Sequence, residues 1–452
     1  MIAKTARNAA VTALLKTNES EGYSNIVIDK TLAEFALDAR DSSLASALFY
    51  GVLERRDYLD YMLSQFSKRP VKKMDPAVRE ILRCAAYQIF FLDKIPESAA
   101  VNEAVRAAKQ FAGQKTAGFV NGILRALLRG KDTVALPKEE ESRRCLLQGC
   151  PLPLYRFWKA AYGPARSAAL AACLAERPPV YLRANLVKIS TEALIEQLCR
   201  EGVAAEAEPR LPGAVRVQKP GKLADLLSFR EGLFHVQDLS SQAACAVLAP
   251  TPGSTVVDVC AAPGGKSFTL AEIMENCGKV LAFDLYKGKV GLIRSGAARL
   301  ELSCVEAAVR DAEKADAGAL CGEFVLCDAP CSGLGILRRK PEIRYKDLRT
   351  LSGLPDLQFA ILENTAKLVM PGGRLLYSTC TLNPAENGKV ADRFLAEHPE
   401  FEPEPVLLPA FSRGMQEPEN QFTFFPPETG TDGFFLALFR RRDESRNGQN
   451  FD

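Results

Sequence analysis

Two hydrophobic periods divide this chain. Near its start apolar residues recur at helical spacing. Val101, Val105, Ala108 and Ala112 share one face, and so do Val120, Ile123, Leu124 and Leu127. Gly130 then supplies a stop signal, and Pro70 and Pro96 punctuate the run. Asp75-Pro76 opens another helix, with Ile81, Leu82 and Ala85 on one side. Residues 1–135 therefore predict an all-helical domain.

The next stretch, 131 to about 150, is polar, with Glu139-Glu140-Glu141 beside Arg143-Arg144, and reads as a linker. Helical spacing resumes from Pro151 to Leu174. A smaller unit comes next. Strands are expected at 180–185, near 204–208, at 214–217 and at 234–237, with helices at 191–200 and near 223–229. That order, βαββαβ, predicts a ferredoxin-like or RRM-like α+β unit within residues 136–237. It lacks an aromatic run of the RNA-stacking kind, so a positioning role competes with direct base contact.

Beyond residue 238 the period alternates between strand and helix, which predicts an α/β domain with a parallel sheet and crossover helices, 238–443. Its strands are expected to end at Cys260, at Asp284, before Asp311, at Asp328 and at Cys380, the last entered through a turn at Pro371-Gly372-Gly373. Phe422–Phe425 and Gly433–Phe439 return as strands, and 444–452 is a polar tail expected to fray.

Bulk composition narrows the class. A chain of 452 residues suggests two to four domains, and 47% hydrophobic content is enough for sizeable cores. A net charge of +3 neither requires nor excludes a polyanionic partner. Thirteen cysteines without a Cys-x-x-Cys pair do not form a disulfide framework and suit a reduced, cytoplasmic setting. With only His235 and His398, no metal site is expected. The N-terminus is not a secretory signal, and no apolar run suits a membrane span.

Candidate chemistry gathers at the strand ends. Cys260-Ala261-Ala262-Pro263-Gly264-Gly265-Lys266 turns the first strand into a helix, where paired glycines admit a ligand close to the backbone. It is neither a Walker A loop nor a full GxGxxG. Asp284, about 20 residues on, suits a ribose diol. Asp311 suits an adenine amino group, and Asp328 ends the fourth strand. NAD and S-adenosylmethionine both satisfy this logic. S-adenosylmethionine is preferred because no diphosphate cradle is complete. Cys331 and Cys380 follow two of the strands, which points to nucleophilic or acid/base thiol chemistry.

The motifs Cys-Ala-Ala-Pro-Gly-Gly-Lys (260–266), Asp-Ala-Pro-Cys-Ser-Gly (328–333), Arg-Arg-Lys-Pro-Glu-Ile-Arg (338–344) and Tyr-Ser-Thr-Cys-Thr (377–381) resemble those of RNA cytosine-C5 methyltransferases. Glu97–Val105 and Ala117-Gly118-Phe119-Val120-Asn121-Gly122-Ile123-Leu124 resemble NusB-type RNA-binding helical domains. The likeness covers nearly the whole chain. Arg344-Tyr345 stands where Lys-Trp is common in that family, a departure that touches only fine substrate contacts.

The resemblance implies a Rossmann-like methyltransferase domain with S-adenosylmethionine as cofactor. It implies Cys380 as the nucleophile toward cytosine C6 and Cys331 as the thiol assisting product release. Asp328 would bind the N3/N4 edge of the base, with Lys266 orienting it. Arg338, Arg339 and Arg344 are expected at RNA phosphates, beside Lys340 and Lys346. The NusB-like region implies 16S ribosomal RNA, or an assembling small subunit, as partner of a monomer. Alternatives are the same reaction on transfer RNA and a non-catalytic RNA-binding assembly factor.

Overall fold

The computed structural model describes residues 2–19, 24–218, 221–314, 320–412 and 416–443, so the polar tail lies outside the described residues. The chain forms two compact units. One comprises Met1–Glu176 together with Leu337–Lys346, the other Arg177–Ile336 and Asp347–Asp452.

The first unit is helical. Its helices are α1 (Ala6–Glu19), α2 (Ser24–Phe35), α3 (Ala39–Ser64), α4 (Pro76–Phe91), α5 (Glu97–Ala112) and α6 (Gln114–Gly130). Local chemistry sets several starts. Asp38 caps α3 by accepting from the Asp41 N–H. Asp75 caps α4 by accepting from the Ala77 and Val78 N–H groups, with Pro76 in the first turn. The apolar faces of the helices meet in one core that includes Leu48, Phe49, Ile81, Leu82, Leu124 and Leu127. The stretch expected as a linker is largely ordered instead. It contains α7 (Glu140–Gln148), and α8 (Leu152–Cys173) begins just beyond it. Leu146 on α7 and Leu154, Tyr155 and Trp158 on α8 are buried, while Arg144 pairs with Glu140 on the polar side.

The strap Leu337–Lys346 completes this unit, and it corrects one expectation. Arg344 is buried at 3% exposure, and its guanidinium is spent on main-chain carbonyls. Nε donates to Leu337 O (3.2 Å), Nη1 to Gly149 O (3.0 Å) and Glu54 O (3.3 Å), and Nη2 to Leu174 O (3.1 Å). Gly149 and Leu174 are the C-caps of α7 and α8, so Arg344 satisfies carbonyls that the helix ends leave open. It is not available to a phosphate. The Tyr345 ring lies under the Arg56 guanidinium, 4.7 Å from its centroid.

The second unit begins with the small sheet: β1 (Val180–Ala184), α9 (Thr191–Arg200), β2 (Ala204–Ala207), β3 (Ala214–Gln218), α10 (Leu227–Arg230) and β4 (Phe234–Val236). Its strands are antiparallel in the order β2-β3-β1-β4, the ferredoxin-like arrangement expected. Leu182, Leu194, Leu198, Val215 and Phe234 fill its core. Arg183 and His235 reach the buried Glu272 at 3.0 and 3.4 Å, tying this sheet to the larger domain.

The larger domain runs α11 (Leu239–Leu248), β5 (Thr255–Asp258), α12 (Gly265–Ile273), β6 (Lys279–Asp284), α13 (Lys287–Leu300), β7 (Val305–Val309), β8 (Gly322–Asp328), α14 (Leu354–Ala366), β9 (Val369–Thr379), α15 (Gly388–Glu397), β10 (Phe401–Pro403), β11 (Gln421–Phe424), α16 (Pro426–Thr429) and β12 (Phe434–Arg441). The sheet order is β10-β12-β9-β8-β5-β6-β7, with β11 beside β12. Strands β5 to β9 are parallel, and β12 lies antiparallel to β9. Buried apolar layers cover both faces, which is why these strands read as near-continuous apolar runs. The expected turn at Pro371–Gly373 is absorbed into β9, where the pairing with β8 shifts register between Gly322 and Phe324. Strand order reverses between β5 and β8, so the carboxyl ends of those strands form the crevice where ligands bind in such sheets. Among the described residues no helix is long and apolar enough to cross a membrane.

Candidate active site

Asp328 ends β8, and two groups hold its carboxylate. The Lys266 ammonium, in the first turn of α12, donates to Oδ2 at 2.7 Å. The Ser378 hydroxyl, near the end of β9, donates to Oδ1 at 2.6 Å. Burial alone would lower the Lys266 pKa, but the adjacent Asp328 charge and hydrogen bond hold it above its ordinary value. The ammonium also lies 5.0 Å from the centroid of the Phe434 ring. Ser378 escapes a reading of the sequence, although its place two residues before Cys380 on an apolar strand is a signal.

The two thiols come together as the strand-end positions predict. Cys331 Sγ and Cys380 Sγ are 3.2 Å apart, and both residues are half-buried. The hydrogen bond with Cys380, with burial behind it, drives the Cys331 thiol well above the ordinary range. The loop after Cys331 is clamped by main chain. Gly335 N–H donates to Cys380 O (3.0 Å), and Gly433 N–H donates to Gly335 O (2.9 Å). A Cβ at Gly335 would stand 1.9 Å from Gly433 O and 2.8 Å from Cys380 O, so only glycine fits.

Behind the thiols lies a buried polar cluster. Ser332 Oγ and Thr381 Oγ1 are 2.7 Å apart, and Thr379 Oγ1 donates to Asn387 Oδ1 at 2.6 Å. Glu386 accepts from the Ser332 N–H at 2.8 Å. The polar run Asn383-Pro384-Ala385-Glu386-Asn387, shortly after an apolar strand, is the sign of it in the sequence.

The glycine loop lies beside this pair. Gly264 takes φ +113° as α12 begins, and the Ala261 N–H donates to Phe283 O (2.7 Å), which fastens the loop to β6. The Ala262-Pro263 peptide is cis. Cys260 is held well above the usual thiol range by burial, which marks it as an inert neighbour. Asp284, at the end of β6, is 7% exposed; its Oδ1 accepts from the Tyr286 N–H (3.2 Å) and lies 3.6 Å from Lys289 Nζ. Leu285, Tyr286 and Val309 leave exposed apolar surface where β6 and β7 end. A carboxylate beside exposed apolar surface and an open helix N-terminus fits a nucleoside. Asp311 lies two residues beyond β7 and pairs with Lys314 at 3.0 Å. Arg338 and Arg339 are half-buried in the strap of the helical unit.

This is a Rossmann-like methyltransferase domain preceded by a ferredoxin-like unit and a helical domain. Three family profiles match in that arrangement: the NusB family over residues 4–129, the ferredoxin-like domain of the RsmF/B-like methyltransferases over 151–224, and the 16S rRNA methyltransferase RsmB/F family over 245–440. A Bacillus subtilis protein named "Probable ribosomal RNA small subunit methyltransferase B" is 37% identical, over 96% of this chain and 98% of its own. The "Ribosomal RNA small subunit methyltransferase B" of Erwinia tasmaniensis is 30% identical, over 95% of this chain and 96% of its own. The crystal structure of PH0851 superposes with a TM-score of 0.84 at 28% identity, covering 98% of this chain and 99% of that one. The chain belongs to the ribosomal RNA small subunit methyltransferase B family, and it is a methyltransferase.

Proposed function

We propose that the protein methylates cytosine at C5 in 16S ribosomal RNA, through a covalent bond between Cys380 and C6 of the base. The 3.2 Å approach of Cys331 Sγ and Cys380 Sγ, beside an Asp328 carboxylate held by Lys266 and Ser378, carries this reading. S-adenosylmethionine, when bound, supplies an electrophilic sulfonium methyl group. The glycine loop 260–265 and Asp284 would hold it, with Asp311 near the adenine.

Cytosine C5 is a poor nucleophile until C6 is attacked. The Cys380 thiolate adds at C6, and the displaced ring electrons make C5 enamine-like and able to accept a methyl group. Asp328 hydrogen-bonds the N3/N4 edge by accepting from the N4 amino group, and the Lys266 ammonium held beside it offsets the negative charge that develops on the ring. C5 then carries a proton that must leave. Cys331 gives its thiol proton to the departing Cys380 sulfur and takes the C5 proton. The C5–H electrons restore the C5–C6 double bond and expel Cys380, and one proton passes to solvent per turnover. The target base must leave its stack to reach these groups.

The helical unit is read as the RNA-docking module. Lys68, Arg69, Lys72, Lys73, Arg125 and Arg129 are exposed on it, whereas Lys131 is paired with Glu97 at 2.5 Å. A reduced cytoplasmic setting keeps both catalytic thiols free. The test is methyl transfer from labelled S-adenosylmethionine to unmodified 16S RNA and to transfer RNA, followed by nucleoside analysis. The expected product is 5-methylcytosine in 16S RNA. Label in transfer RNA alone would move the substrate, and label on another base would overturn the chemistry.

A further inference from the structure

The Glu386 carboxylate lies behind the thiol pair and is fully buried. Oε2 accepts from the Ser332 N–H at 2.8 Å and from Gln358 Nε2 at 2.9 Å. Oε1 accepts from Asn383 Nδ2 at 2.8 Å. Gln358 Nε2 also donates to Pro330 O at 3.0 Å, so Glu386 and Gln358 together grip the residues on both sides of Cys331. On the other side, the Tyr377 hydroxyl donates to Glu386 O at 2.6 Å, and Asn383 and Glu386 sit in the loop that follows Cys380. One side chain thus joins the loop of each thiol. Its three donors among the described residues are all neutral.

The carboxylate is placed asymmetrically. The hydrogen bond with Cys380 and burial are the larger effects on Cys331, and Glu386, whose Oε2 holds the N–H of the next residue, Ser332, adds to them by opposing a thiolate there. Lys266, itself held by Asp328, interacts with Cys380 and favours a thiolate there. Of the other ionisable groups near the pair, Tyr377 is kept neutral by burial, and the Asp328 carboxylate is held by Lys266 and Ser378. An anion behind one sulfur and a cation toward the other polarise a hydrogen bond between them.

We propose, on the cytosine-C5 reading above, that Glu386 is a positioning residue that keeps the shared proton on Cys331 and so leaves Cys380 as the thiolate. No bond to carbon is involved. The proton stays on Cys331 Sγ, which donates to the Cys380 Sγ lone pair. The division of labour between the two thiols then arises from a residue that touches neither substrate nor cofactor.

The test needs no turnover. Full-length protein without RNA is alkylated with iodoacetamide from pH 5 to 10, and Cys331 and Cys380 are quantified separately by peptide mass spectrometry. In wild type, Cys380 is expected to react first, with its midpoint below that of Cys331. In Glu386→Gln the preference for Cys380 should fall about tenfold, because the Cys331 midpoint should drop by about one pH unit. Glu386→Asp, which keeps the charge, should restore most of the preference. Gln358→Leu, which loosens the same loop but keeps the charge, should retain it. If wild type alkylates Cys331 first, the proposal fails whether or not the variants fold. An unchanged preference in folded Glu386→Gln also overturns it. Neither outcome bears on which base is methylated, so failure here is separable from failure of the cytosine-C5 reading.

Discussion

Lys266 Nζ and Asp328 Oδ2 meet at 2.7 Å although 62 residues separate them in the chain. The first comes from the glycine loop, the second from the thiol loop, so one ion pair joins the place expected for the cofactor to the place expected for the base. Lys266→Met would leave the carboxylate held by Ser378 alone. Turnover should fall about 100-fold, the order seen when a preorganised electrostatic contact is lost. Ser378→Ala should cost less, about tenfold. Full turnover in Lys266→Met, measured with saturating RNA and cofactor, would remove Lys266 from the mechanism.

Asp284 stands at the end of β6 beside exposed Leu285 and Tyr286. Asp284→Ala should weaken S-adenosylmethionine binding about 10- to 100-fold, the worth of hydrogen bonds to a charged acceptor. RNA affinity should hold. Calorimetry with each ligand separates the two, and equal loss of both would contradict a ribose contact.

Asp258 is fully buried at the end of β5, with Ser267 Oγ donating to Oδ2 at 2.7 Å. Burial raises its pKa to about 7. The folded protein therefore binds a proton that the unfolded chain has released above pH ~4. The stability this group contributes is complete below that point and is lost as pH rises through about 7. Asp258→Asn removes the dependence. Its stability relative to wild type should increase from pH 4 to pH 8 by up to about 4 kcal/mol, from the pKa difference at ~1.36 kcal/mol per unit. Urea unfolding at several pH values measures it, and a flat difference would show that Asp258 stays charged.

Arg344 donates to four main-chain carbonyls in the helical unit. Arg344→Ala should lower unfolding free energy by about 3 kcal/mol by leaving helix-end carbonyls unpaired. Arg344→Lys should rescue little, because an ammonium lacks the forked donors. Thermal unfolding reads the loss. Unchanged stability with weaker, salt-sensitive RNA binding would instead return Arg344 to a phosphate role.

Legibility in the sequence tracks contiguity. Asp328, Cys331 and Cys380 stand out because each ends or follows an apolar strand, and the strand ends of a parallel sheet share one edge. The βαββαβ order is readable because each strand and helix is short and bounded by turn residues. Arg344 misleads because a charge in a basic run looks solvated, and its acceptors, Glu54, Gly149 and Leu174, are remote in sequence. Glu139-Glu140-Glu141 suggests a linker, yet Cys145 and Leu146 supply the buried face of a helix whose other side is salt-bridged. Pro371-Gly372-Gly373 looks like a turn because its register shift depends on the neighbouring strand. Glu386 is hidden because its donors lie on three separate segments.

The central claim is that Cys380 bonds to the base and Cys331 releases it. Wild type, Cys331→Ala and Cys380→Ala, each incubated with unmodified 16S RNA and S-adenosylmethionine and run on denaturing gels, test it directly. Cys331→Ala should accumulate a covalent protein–RNA adduct, and Cys380→Ala should be inactive and form none. An adduct seen only with Cys380→Ala would contradict the assignment and exchange the roles of the two thiols.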